Sequence, residues 1–184
     1  AHEIRGRTLG ILGYGHIGAQ VSILAEAMGM RVLYHDHQPK LPLGNASQVD
    51  SLDTLLQVSD VLTIHVPDTP LTQNMIDADA IAKMKSGAFL LNNARGSIVD
   101  LGALAVALRT GHLGGAAIDV FPEEPSENDS SFGHELCGIE NVILTPHIGG
   151  STREAQENIA RDVAEKMAKF LTTGSTIGAV NLPE

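Results

Sequence analysis

The chain has 184 residues, 43% hydrophobic and 18% charged, a balance that fits one large folded domain and excludes a disordered chain. Its 22 acidic side chains outnumber 12 basic ones for a net charge of −10, and no Lys/Arg cluster offers the basic footprint that nucleic acid needs. No apolar run approaches the ~20 residues of a membrane span, and Cys137, the only cysteine, excludes an internal disulfide and a cysteine-based metal cluster.

Thr8-Leu9-Gly10-Ile11-Leu12 is an apolar run too short for a helix and stopped by Gly13, the pattern of a buried strand. From Ile17, apolar Val21, Leu24, Ala25 and Met28 recur at three- and four-residue steps, which predicts a helix that Gly29 ends. Arg31 to His35 reads as a second strand and completes a βαβ unit of ~30 residues. Ser51 is placed to cap a short helix carrying Leu52, Leu55 and Leu56, and Val61 to Val66 reads as a strand halted by Pro67. Ala88 to Leu91 is the next strand, after which Asp100 caps a helix with Leu101, Leu104, Ala105 and Leu108, closed by Gly111. Gly115 to Val120 and Val142 to Leu144 add two strands, separated by a long acidic loop over 121–140. The last helix is expected over 151–173, with Ser151 and Glu154 at capping-box spacing and Ile159, Val163, Met167 and Phe170 on one face. Glu157 with Arg161, Asp162 with Lys166 and Glu165 with Lys169 are placed to lace its outer face. This alternation predicts an α/β fold, a parallel sheet with helices on both faces, as a single domain over 1–184, and with the glycine loop it is expected to be a Rossmann-type doubly wound sheet.

Gly13-Tyr14-Gly15-His16-Ile17-Gly18 matches the pattern GxGxxG, and its context gives it weight: it follows a strand, opens a helix, and Asp36 ends the next strand. Gly13 permits the tight turn, Gly15 lets a pyrophosphate approach the backbone, and Gly18 lets helix and strand pack closely. The backbone at His16 and Ile17 then faces phosphate at the helix N-terminus, where free N–H groups and a partial positive charge favour anions. Asp36 is suited to accept hydrogen bonds from the adenosine ribose and would repel a 2′-phosphate, so NAD is expected over NADP. His35 and His37 flank Asp36, but without a third ligand no metal is expected.

Asn92-Asn93-Ala94-Arg95-Gly96, Asp119-Val120-Phe121-Pro122-Glu123-Glu124-Pro125 and Thr145-Pro146-His147-Ile148-Gly149-Gly150 each lie just beyond the C-terminal end of a predicted strand, the edge where open α/β sheets bind ligands. With the glycine loop, they resemble the NAD-binding domain of the D-isomer-specific 2-hydroxyacid dehydrogenases, over essentially the whole chain. That resemblance implies catalytic roles for Arg95, gripping the substrate's carboxylate and carbonyl, for His147, the acid/base, and for Glu124, orienting its ring; Glu123 competes for that last role, and only the family's Glu-Pro register chooses Glu124. It also implies that Asp119 meets the nicotinamide amide and that His65, Val66, Pro67, Ala94, His147, Gly149 and Gly150 line the cofactor.

Leu41 to Asn45, Gly149 to Asn158 and Ala179 to Glu184 resemble members that act on a small phosphorylated 2-hydroxy acid. Alternatives within the resemblance are a glyoxylate or hydroxypyruvate reductase and an NAD-sensing binding module of the same fold. The family's substrate domain is not expected within these residues, so the chain alone is expected to bind NAD with little turnover. Family members commonly dimerise through this domain, which makes a homo-oligomer the expected state. With no signal-like segment at Ala1, a cytoplasmic location is expected.

Overall fold

Short runs of two to six residues, all but one of them mainly apolar, line up as one all-parallel sheet in the computed structural model, which describes residues 3–125 and 133–179. Part of the long acidic loop, 126–132, and the C-terminal segment 180–184 lie outside the described residues. The strands are β1 (Thr8–Leu12), β2 (Arg31–His35), β3 (Ser47–Gln48), β4 (Val61–Ile64), β5 (Ala88–Asn92), β6 (Leu113–Ile118) and β7 (Val142–Leu144). Their order across the sheet is β3-β2-β1-β4-β5-β6-β7, with every pairing parallel. The chain first builds outward from β1 through β2, then crosses back to start again on β1's other edge, so the direction of winding reverses between β1 and β4.

The helices are α1 (His16–Ala27), α2 (Leu52–Val58), α3 (Ala78–Lys83), α4 (Leu101–Arg109) and α5 (Arg153–Thr173), with a 3₁₀ turn over Gly96–Ile98. Successive residues of β1 show that α1 and α2 cover opposite faces of the sheet. A Cβ on Gly10 would sit 3.2 Å from Leu55 of α2, whereas the next residue, Ile11, packs beneath Gly18 of α1. Because adjacent strand side chains point to opposite faces, the sheet is doubly wound, as the alternating pattern predicts. The core divides accordingly. Leu9, Ile11, Val32 and Tyr34 belong to the smaller cluster under α1, and Leu12, Leu33, Leu55, Leu62 and Leu90 to the larger one. Each fully buried Leu among these contributes ~2 kcal/mol.

Asp60 joins the starts of three strands. It accepts the Thr8 N–H at 2.8 Å and the Lys85 ammonium at 3.2 Å, with Arg7 3.7 Å away. Burial alone would push its carboxyl up, but the Thr8 amide and the two cations outweigh that and hold it below the usual carboxylate value.

Ser51 and Asp100 cap α2 and α4 as expected, accepting the Thr54 and Ala103 N–H groups at 3.1 and 2.9 Å. Gly29, Gly111 and Gly174 follow helix ends with φ of 83°, 75° and 68°. At α5 the cap is Thr152 rather than Ser151: the Thr152 hydroxyl accepts the Ala155 N–H at 3.2 Å. Of the ion pairs expected on α5, Asp162–Lys166 forms at 2.7 Å, and Glu157 pairs backwards with Arg153 at 3.0 Å instead of forwards with Arg161. The chain separates into two compact units, Ala1–Pro146 and His147–Glu184. Among the described residues no helix is long and apolar enough to cross a membrane.

Candidate functional site

The turn between β1 and α1 is built on backbone proximity. Gly13 has φ +92°, its N–H donates to the His35 carbonyl at 2.9 Å, and a Cβ there would lie 2.8 Å from the His65 carbonyl group. Gly18 packs against the Gly13 carbonyl, so a Cβ on it would overlap that group. Gly15 is the N-cap of α1, with no side-chain cap and no acid in the first turn, and open space surrounds the position of its absent Cβ. An anion can therefore reach the N–H groups that begin α1 without displacing a side chain. His16 and Ile17 are both exposed at this helix start.

Asp36, just past the end of β2, is turned toward the same loop. Its Oδ2 accepts the Tyr14 N–H at 2.9 Å, and its Oδ1 accepts the Gln38 N–H at 2.9 Å with the His37 Nδ1 at 3.3 Å. Those bonds fix the carboxylate's orientation and leave lone pairs for a diol. His35 turns elsewhere, its Nδ1 bonded to the Val49 carbonyl at 3.2 Å, so the two histidines do not converge. Among the described residues no group of three His, Cys, Asp or Glu side chains could hold a metal ion.

Tyr14 was not legible as part of this site, because the motif treats its position as variable. Its ring stacks on Tyr34 with centroids 3.8 Å apart, its hydroxyl meets Ser22 at 2.8 Å, and the same oxygen accepts the Leu43 N–H at 3.1 Å. It thereby ties the glycine turn to the loop behind Asp36.

His65 follows β4, and its N–H donates to the Leu12 carbonyl at 2.7 Å, which extends the β1–β4 pairing by one step. Its Nε2 lies 3.0 Å from the Thr63 hydroxyl, and burial holds the imidazole below the usual histidine pKa. Val66 is half-buried and Pro67 exposed; the Pro67 carbonyl accepts the Thr72 hydroxyl at 2.6 Å.

Beyond β5, Ala94 is buried and Arg95 exposed, with the Arg95 Nη1 donating to the Ala94 carbonyl at 2.6 Å. Gly96 lies against the Phe121 carbonyl so closely that a Cβ would overlap it, which brings the Arg95 loop and the loop of Glu124 together. Glu124 accepts the Phe121 N–H at 3.0 Å. Glu123 and Glu124 both line a cavity of about 800 Å³ that the 3₁₀ turn and the start of α4 also border. Asp119 accepts a hydrogen bond from the Thr145 hydroxyl, so the ends of β6 and β7 are joined by side chains as well as by the Thr145 N–H to Ile118 carbonyl bond at 3.0 Å.

His147 opens the second unit, and its backbone adopts a left-handed φ of +50°, one of two non-glycine residues to do so among those described. A branched or bulky residue pays strain there. The Ser151 N–H donates to the Ile148 carbonyl at 3.0 Å, and the Gly150 carbonyl accepts from Gln156, closing a turn that leads into α5. Among the described residues, none crowds the positions of the absent Cβ atoms at Gly149 and Gly150.

A doubly wound parallel sheet with a glycine turn, a carboxylate after its second strand and polar side chains at further strand ends defines a dinucleotide-binding domain. Residues 1–149 match the D-isomer specific 2-hydroxyacid dehydrogenase, NAD binding domain, and the chain belongs to this family. It is 57% identical over 182 residues to D-3-phosphoglycerate dehydrogenase of Escherichia coli, covering 99% of this chain and 44% of that protein. It is 56% identical over 184 residues to the enzyme of the same name from Haemophilus influenzae, covering 100% of this chain and 45% of that one. The chain thus spans less than half the length of these relatives. Among solved structures, the NAD-complexed D-isomer specific 2-hydroxyacid dehydrogenase of Lactobacillus delbrueckii ssp. bulgaricus superimposes with a TM-score of 0.86 at 31% identity, over 98% of this chain and 58% of that one. The open approach to Gly15, the uncapped start of α1 and the oriented Asp36 carboxylate fit NAD.

Proposed function

We propose that this chain is the cofactor domain of a D-3-phosphoglycerate dehydrogenase, which oxidises 3-phosphoglycerate to 3-phosphohydroxypyruvate at the first step of serine biosynthesis. The observation that carries the reading is the 57% identity to an enzyme of that name across 99% of the chain. The polar strand ends described above support it. Bound NAD would supply the hydride acceptor that oxidation at the substrate's second carbon needs. Asp36 holds the adenosine ribose, and the backbone from Gly13 through Gly15, His16 and Ile17 to Gly18 receives the pyrophosphate. His65, Val66, Pro67, Ala94, Gly149 and Gly150 would border the rest of the dinucleotide, and Asp119 would hold the nicotinamide amide.

Arg95 presents a planar fork of donors to the substrate's carboxylate and carbonyl oxygen, a geometry that lysine does not reproduce. His147 removes the proton of the hydroxyl being oxidised, and Glu124 orients its ring. A positive φ at His147 suits this role, since strain is retained where the surroundings fix one orientation of a reacting group. A homo-oligomer formed through this domain is part of the reading; the exposed apolar side chains Ile159, Val163, Met167 and Phe170 of α5 support it.

The test is a substrate panel on the whole protein, following NADH absorbance, with His147→Ala alongside. The expected outcome is turnover of 3-phosphohydroxypyruvate, with His147→Ala losing at least ~100-fold in kcat while NAD affinity is kept. A protein that leaves this substrate untouched, or binds no NAD by calorimetry, overturns the reading.

A further inference from the structure

Asn92 is the last residue of β5 and has no exposed surface. Alternation along the strand places Ala88, Leu90 and Asn92 on buried positions. The third would suit a leucine, since a buried amide is unfavourable unless its bonds are made. They are made to the loop that carries Arg95. The Asn92 Oδ1 accepts the Ala94 N–H at 3.1 Å, and its Nδ2 donates to the Arg95 carbonyl at 3.0 Å. Between those two peptide groups, the Ala94 carbonyl accepts the Arg95 guanidinium at 2.6 Å. One rigid amide therefore sets the turn across which the guanidinium lies.

On the other side of the loop, Gly96 lies so close to the Phe121 carbonyl that a Cβ there would overlap it. Asn92 also reaches the neighbouring strand: its backbone carbonyl accepts the Asp119 N–H at 3.0 Å, and Asp119 in turn accepts from Thr145.

We propose that Asn92 is a positioning residue that fixes the backbone of Arg95, and so the direction of its guanidinium, relative to the strand end carrying Asp119. The inference rests on the role proposed for Arg95 and extends it to a residue that does not touch the substrate. Small errors in the placement of a binding group are expensive in rate, with ~100-fold losses from displacements of ~1 Å.

The test uses the whole protein with Asn92→Ala, Arg95→Ala, the double variant and Asn92→Asp. Asn92→Ala is expected to lower kcat/KM for the hydroxy acid by ~10- to 100-fold, with a raised KM. Its Kd for NAD should stay within ~3-fold of the parent's. In the Arg95→Ala background the same change should cost less than ~2-fold, since it acts through a side chain no longer there. Asn92→Asp keeps the shape and the acceptor for Ala94 but sets a carboxylate against the Arg95 carbonyl. Its kcat/KM relative to the parent should therefore rise as the pH is lowered and the introduced group becomes a donor. This variant decides the matter if Asn92→Ala does not fold.

Equal losses in both backgrounds, a parallel loss of NAD affinity, or a pH-independent ratio for Asn92→Asp overturns the inference alone. An Arg95→Ala protein with unaltered kcat/KM overturns the role of Arg95 and the inference with it.

Discussion

His65 shows how one residue links stability to pH here. Its imidazole is half-buried beside Thr63, and burial disfavours the charged form, so its pKa lies lower in the folded chain than in the unfolded one. The unfolded state then binds more protons as the pH falls. The stabilising contribution is fully present above the unfolded value of ~6.5 and is lost as the pH drops through the lower folded value. His65→Gln keeps a polar atom within reach of the Thr63 hydroxyl but does not titrate. Denaturant midpoints of the two proteins, compared between pH 7.5 and 5, should diverge steadily toward acid, with the parent falling faster; parallel curves would refute this account of His65. The residues proposed for the site differ in how far the sequence disclosed them. Gly13, Gly15, Gly18 and Asp36 sit at fixed offsets dictated by the shape of a dinucleotide, and Arg95, Glu124 and His147 sit within family motifs. Tyr14 works through partners distant in the sequence but adjacent in the fold, and the role proposed for Asn92 depends on a loop's particular curvature, so spacing could not single them out. The remaining clue at Asn92 was an amide in phase with the apolar positions of its own strand.

At the scale of elements, local chemistry explains most starts and stops. Asp100 accepts the Ala103 N–H at 2.9 Å and places a negative charge at the start of α4, beside the cavity that Glu124 lines. Asp100→Ala should cost ~1 kcal/mol, read as a lower midpoint in urea with an unchanged slope. A midpoint equal to the parent's would mean that water replaces the cap without loss. The same capping logic was available for α3, where Asp77 accepts the Ala80 N–H at 2.9 Å, yet six residues carry too little periodicity to mark a helix. β3 is two residues on the sheet's edge, with both side chains exposed, and leaves no apolar signature at all. At α5 both Ser151 and Thr152 could cap, and the structure places the hydroxyl one residue later than capping-box spacing suggests. Periodicity locates elements that bury a face, and is silent about those that only connect.

For the molecule as a whole, binding of NAD to the folded chain alone must raise its stability by mass action. At ~100 times Kd the gain is ~2.7 kcal/mol, which for a domain of this size corresponds to a rise of ~5–10 °C in Tm. Scanning calorimetry with NAD, and with NADP as the comparison, checks this: NADP should shift Tm little, because Asp36 would face its 2′-phosphate. Equal shifts would remove Asp36 from its assigned role. The parallel sheet was legible from alternation alone, whereas the strand order was not, since no local pattern says on which edge of β1 the fourth strand will land. That order carries a consequence for synthesis. β2 pairs with β1, β3 with β2, β4 with β1, β5 with β4, β6 with β5 and β7 with β6, so every strand emerges after the partner it joins. The sheet can grow by accretion as the nascent chain leaves the ribosome, each new strand docking on an edge already in place. A chain translated only as far as Asn92 holds the dinucleotide turn between β1 and α1 and the strand that leads to Arg95. The segments carrying Glu124 and His147, proposed above to complete the substrate chemistry, emerge after it.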